Sequence, residues 1–184
     1  MLFRSQSGDD DVLAAMRRDY TVADFRAILA AFRAAYPEIT VSTDIIVGFP
    51  GETEAQFERS LDLVREVRPD TVNVTRFSAR EGTPAASMPG QVVGWRAKER
   101  SRRLTRLRFA IARDIHESLV GRTVRVLTTE PGRDGTTRSR TDAYKQVVLP
   151  GVRPIGEFLE CRIMAARAVD LGAEVLPPSA TAAG

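Results

Sequence analysis

The stretch from Ile39 to Thr53, ITVSTDIIVGFPGET, constrains the fold more than any other part of the chain. Its residues up to Gly48 are β-branched and apolar, bounded by Pro37 on one side and by the Gly48-Phe49-Pro50-Gly51 turn on the other, so they read as a buried strand. Thr53 and Gln56 then have the spacing of a capping box, ahead of Phe57, Leu61, Val64 and Val67 on a helical stripe that stops at Pro69. The same grammar holds on either side. Thr21 and Asp24 resemble a capping box with Asp in place of Glu, and Val22, Phe25, Ile28, Leu29 and Phe32 predict a helix of about 14 residues before Pro37. Thr71 to Phe77, TVNVTRF, reads as a second strand. Helix, strand, helix and strand with short connections predict βα units on a parallel sheet, whose sites form at the C-terminal ends of the strands.

Beyond Gly82-Thr83-Pro84 the periodicity is lost through MPGQVVGW, which reads as a linker. From Arg96 to about Ser118 the pattern is helical, with Leu104, Leu107, Ile111 and Ile115 on one side and Arg102, Arg106 and Arg113 on the other. From Val120 onward short strands alternate with Gly and Pro turns, the pattern of a small all-β barrel or sandwich. The expected organisation is an α/β part over 1–95, a basic linking helix over 96–118, a β-barrel over 119–176 and a disordered Pro- and Ala-rich tail over 177–184.

Composition excludes several classes. With 43% hydrophobic and 28% charged residues in 184, the chain can build a core and is not broadly disordered. No run approaches the roughly 18 apolar residues of a spanning helix, and MLFRSQSGDD lacks the pattern of a secretory signal. A monomer in the cytoplasm, with no membrane partner, is therefore expected. The single cysteine, Cys161, can form no internal disulfide and cannot by itself hold zinc or an iron–sulfur cluster; it reads as a small buried hydrophobe, and His116 as a solvated residue of the arginine helix. Charge is uneven: residues 1–95 carry 10 basic and 14 acidic side chains, 96–118 carry 8 and 3, and 119–184 carry 9 and 7. That asymmetry suggests a polyanion partner near the junction.

Four segments together have a familiar order and spacing. They are Gln6-Ser7-Gly8 with Val12, Leu13, Met16, Arg18 and Tyr20; TDIIVGFPGET; Arg76-Phe77-Ser78 with Arg80 and Gly82-Thr83; and the Lys98-Glu99-Arg100-Ser101 helix. Over about residues 5 to 176 this resembles the radical S-adenosylmethionine methylthiotransferases, most closely the archaeal and eukaryotic type that acts on threonylcarbamoyladenosine in tRNA. The resemblance implies a partial (βα) radical SAM barrel followed by a TRAM domain, a small OB-like barrel that holds RNA. It implies an S-adenosylmethionine site made by Asp44, Val47, Gly48 and Glu52, by Arg76, Phe77 and Ser78 along the adenine, and by Gln6 and Ser7 near the ribose or methionine. Asp44 reads equally as a buried structural carboxylate.

For RNA, the expectation covers Arg138, Arg140, Tyr144 and Lys145, taken as a cluster on one strand, together with Arg102, Arg106 and Arg113 on the helix; the partner is tRNA. The family's [4Fe-4S] clusters are not expected to be ligated by this chain, which has no Cys-x3-Cys-x2-Cys loop. The chain therefore reads as a C-terminal fragment of such an enzyme, inactive alone. Two alternatives stay open: a non-catalytic RNA-binding module, and the branch that modifies an aspartate of a ribosomal protein.

Overall fold

The computed structural model describes residues 4–177, and the chain forms two compact units that divide between Ile111 and Ala112. Apart from Pro177, the expected tail lies outside the described residues. No described helix is long and apolar enough to cross a membrane.

The first unit contains α1 (Asp10–Ala15), α2 (Val22–Ala35), β1 (Ser42–Val47), α3 (Glu54–Val67), β2 (Thr71–Arg76), α4 (Pro84–Ser87) and most of α5 (Gly94–Glu117). Both capping boxes form. Thr21 accepts from the Asp24 amide while the Asp24 carboxylate accepts from the Thr21 amide, and Thr53 and Gln56 do the same at α3. Two orphan amides are thereby satisfied at each helix start. Helix α1, capped by Asp9, had no sequence signal because six residues are too few for a period to show. Strand β1 starts later than expected, since Asp70 takes the Val41 amide at 2.8 Å and a turn from Tyr36 closes on Ile39.

Strands β1 and β2 run parallel in the register Asp44↔Asn73 and Ile46↔Thr75. Gln6 bridges the opposite edge of β1: its amide donates to the Asp44 carbonyl and its carbonyl accepts from the Ile46 amide, both at 2.9 Å. The pleat then sorts the side chains. Thr43, Ile45 and Val47 are buried, whereas Asp44 and Ile46 with Asn73 and Thr75 lie on the more open face. Leu13, Phe25, Leu29, Val41, Leu63 and Val67 make the core beside it. Helix α3 reaches this sheet because Gly8 lets it: a Cβ there would lie 2.5 Å from the Arg59 carbonyl oxygen and from the Ser60 Cα.

The second unit is a closed barrel of β3 (Thr123–Pro131), β4 (Thr137–Thr141), β5 (Gln146–Leu149), β6 (Phe158–Ala166) and β7 (Leu171–Val175), in the order β3-β4-β5-β7-β6. Closure leaves no edge to pair with other chains. Val126, Val147, Leu149, Cys161, Ile163 and Leu171 fill it. Its buried hydroxyls are satisfied, with Ser139 donating to the Val147 carbonyl and Thr128 to that of Pro154.

Two sequence readings are corrected here. Tyr144 and Lys145 do not share a strand with Arg138 and Arg140; they sit in the turn between β4 and β5, where Tyr144 adopts φ +64°. His116 is not solvated but buried, its Nδ1–H donating to the Arg167 carbonyl at 2.5 Å. Helix periodicity places a residue on a face but does not say that a β6–β7 turn covers it.

Candidate functional site

The turn after β1 is held by one carboxylate. Phe49-Pro50-Gly51-Glu52 closes with the Glu52 amide on the Phe49 carbonyl at 2.9 Å, and Gly51, at φ +82°, supplies the left-handed residue that such a Pro-Gly turn needs. Glu52 then folds back: its Oε2 accepts from the Gly48 amide at 2.7 Å and from Arg100 Nη1 at 2.7 Å. Arg100, from α5, also donates to the Glu52 carbonyl at 3.0 Å, and both side chains are buried. Gly48 faces α5 as well, for a Cβ there would lie 2.8 Å from that of Ala97. The turn is thus clamped between β1 and α5.

Burial pushes the Glu52 carboxyl above its ordinary value, against the Gly48 amide and the Arg100 guanidinium, which pull it down. In the window that opens near pH 4.5 and closes at the raised value, the folded chain keeps a proton that the unfolded chain has lost. Stability should therefore fall as pH climbs through that window. Urea unfolding of wild type and Glu52→Gln across it checks this; the fall is expected in the wild type and absent from the variant.

Around this turn the residues expected near a cofactor fall into two groups. Ser7 is buried with its Oγ 3.4 Å from that of Ser60, Gln6 is buried and accepts from Arg18 at 3.3 Å, Val47 is fully buried, and Gly48 and Glu52 are in the clamp. Asp44, Arg76, Phe77 and Ser78 keep accessible surface. Asp44 accepts from Asn73 Nδ2 at 2.8 Å and pairs with Arg4 at 3.1 Å. Phe77 continues the sheet through the Val47 carbonyl at 2.9 Å and stacks edge-to-face on Phe49, with centroids 5.1 Å apart.

On the barrel, one outward-facing row crosses three strands. Arg140 of β4 and Phe158 of β6 both pair with Leu127 of β3. Together with Tyr144 and Asp142 they line an open groove of about 440 Å³. Both aromatics are exposed, Tyr144 at 74% and Phe158 at 59%. Each lies under a guanidinium, Arg140 at 4.9 Å from the Tyr144 ring and Arg125 at 4.8 Å from that of Phe158. The basic residues differ in commitment. Arg138 pairs with Glu130 at 3.1 Å and Arg125 with Asp142 at 3.2 Å, whereas Arg140 has no ion pair among the described residues and donates to the Tyr144 carbonyl at 3.3 Å. Lys145 is half-buried. Sequence reasoning missed Arg125 and Phe158, because Phe158 is separated by almost thirty residues from the strand it stands beside. On α5, Arg102, Arg106 and Arg113 are all exposed, opposite Leu104 and Ile111.

Comparison with known proteins finds a family match within each unit. Residues 117–176 match the TRAM domain and residues 3–64 the Radical SAM superfamily. Residues 3–64 are thus a Radical SAM segment and residues 117–176 a TRAM domain. A probable threonylcarbamoyladenosine tRNA methylthiotransferase of Pyrococcus horikoshii is 46% identical over 171 residues, 93% of this chain and 40% of the relative. One from Archaeoglobus fulgidus is 46% identical over 158 residues, 86% of this chain and 37% of the relative. A tRNA-2-methylthio-N(6)-dimethylallyladenosine synthase of Tropheryma whipplei is 42% identical over 167 residues, 86% of this chain and 35% of the relative. The chain thus spans well under half the length of these curated relatives.

Radical SAM chemistry uses S-adenosylmethionine and an iron–sulfur cluster, and the donor set of this chain does not fit the cluster. Such a cluster is held by several cysteine thiolates, and Cys161 is single, buried in the TRAM barrel and has its thiol pushed up by burial. The first unit keeps an open sheet face at Asp44, Ile46 and Asn73, and an exposed end of β2.

Proposed function

We propose that this chain serves in the methylthiolation of N6-threonylcarbamoyladenosine in tRNA, its TRAM barrel holding the tRNA and its Radical SAM segment contributing part of the S-adenosylmethionine site. The observation that carries the RNA half is the Arg140–Leu127–Phe158 row with Tyr144 beside it. Exposed aromatics bind bases through their faces while arginines take phosphates, a combination suited to single-stranded RNA. For S-adenosylmethionine, the accessible groups Asp44, Arg76, Phe77 and Ser78 are the contacts proposed, with Gln6, Ser7, Val47, Gly48 and Glu52 shaping the sheet end from beneath. The clusters belong to cysteines that this chain does not supply.

The test is tRNA binding at several salt concentrations. Log K should fall against log salt, and Arg140→Gln should lower the magnitude of the slope by about 0.7 to 0.9. Arg138→Gln should do less, since Arg138 already has Glu130. Tyr144→Ala should weaken binding by about 1–3 kcal/mol with little change in slope. Salt-indifferent binding would remove the RNA assignment. A second reading, an RNA-holding module without chemistry, is favoured by the buried state of Cys161; anaerobic reconstitution that yields stoichiometric cluster and cleaves S-adenosylmethionine would exclude it.

A further inference from the structure

Helix α5 carries its cations in two sets. Arg100 and Arg103 are committed to Glu52, Glu54 and Glu58, and Arg108 donates to the Val72 carbonyl at 2.8 Å. Lys98, Arg102 and Arg106 are exposed, and none of their side chains has a hydrogen bond or ion pair among the described residues. These three stand four residues apart, on successive turns of one helix face, about 6 Å along the axis from one to the next. Like charges at that spacing destabilise a helix. Glu99, the one acid beside them, pairs with none of the three.

The same face begins with an aromatic. Trp95 stands one turn before Lys98 and is 63% exposed, with the Arg96 guanidinium 5.2 Å from its ring centroid. The first turn of α5 holds no acidic residue, although an acid there would be favoured by the helix dipole. A large aromatic ring left in water, continued by unneutralised cations, matches an unpaired base followed by phosphates.

We propose that the outer face of α5, from Trp95 to Arg106, is a second RNA-contact surface, with Lys98, Arg102 and Arg106 on backbone phosphates and Trp95 stacked on an unpaired base. It rests on the RNA reading of the barrel and adds a surface on the other unit. An acidic protein surface would meet the three cations, but the exposed Trp95 ring in line with them is what an unpaired base followed by phosphates uses.

Trp95 is the only tryptophan of the chain, so its emission reports this surface alone. The full chain is titrated with fluorescently labelled oligouridylate, following the anisotropy of the label and the emission of Trp95 together. Trp95 emission is expected to drop by about half or more at saturation, and Trp95→Ala to weaken binding about tenfold. The triple variant Lys98→Gln, Arg102→Gln, Arg106→Gln should lower the magnitude of the log K against log salt slope by about 2. All four side chains are exposed, so the variants should keep the wild-type circular dichroism. Binding seen by anisotropy with unchanged Trp95 emission and an unchanged slope in the triple variant overturns this surface and leaves the barrel reading standing. Absence of any binding by anisotropy overturns both.

Discussion

Arg100→Met is expected to destabilise the first unit by about 3–5 kcal/mol, because it leaves the Glu52 carboxylate buried without its cation. Glu52 has no spare partner to turn to. Its Oε2 would retain only the Gly48 amide, and its Oε1 is already buried without a hydrogen bond. Neighbouring cations are occupied, since Arg103 lies between Glu54 and Glu58. Urea unfolding at neutral pH, followed by Trp95 emission from within the first unit, measures the loss. The double variant Glu52→Leu, Arg100→Met should recover much of it, since replacing both members of a buried pair by apolar groups is often neutral, less the Gly48 amide left unmade. A single variant within about 1 kcal/mol of wild type would show that water reaches the pair and that it holds nothing.

Gly8→Ala should cost about 3 kcal/mol or more, at or above the upper end of overpacking. The new methyl would meet the backbone of α3 at Arg59 and Ser60 rather than the end of a flexible side chain, so a whole helix must move. Movement would also break the bond from the Gly8 amide to Ser60 Oγ at 2.8 Å and disturb Asp9, which caps α1 and pairs with Arg59 at 2.5 Å. Gly51→Ala is the contrasting control. Nothing lies within 4 Å of a Cβ there, so only the left-handed backbone is strained, at about 1–2 kcal/mol. Thermal unfolding of the two variants should rank them in that order; equal losses would mean that conformation, not contact with α3, is what Gly8 supplies.

Much of the first unit was legible because its signals are local. Capping boxes at Thr21 and Thr53 need only residues three apart, and the ends at Pro37 and Pro69 need only one residue. The arginine helix was legible for the same reason, as was the burial of Cys161 within a strand pattern. Even the resemblance that pointed to a radical SAM segment and a TRAM domain rests on short motifs in order, and residues 3–64 and 117–176 match those families.

Roles assigned across distance were not legible. The period of RAKERSRRLTRLR places Arg102, which has no partner among the described residues, opposite Leu104, and Arg100 on the Leu104 side, but does not say that Arg100 clamps Glu52 from 48 residues away; the packing of that side toward α3 decides it. Gln6, Ser7 and Glu52 carry the polar chemistry of a ligand site, yet their polar atoms meet Arg18, Ser60 and Arg100. Phe158 became part of a site only when β6 paired with β3. Sequence by itself determined the long helices α2, α3 and α5, the presence of β1 and β2, and which faces of these elements are apolar, because those depend on neighbours along the chain. Tertiary structure alone decided which polar groups remain free to bind, because a hydrogen bond or ion pair forms with whatever group the fold brings within about 3 Å.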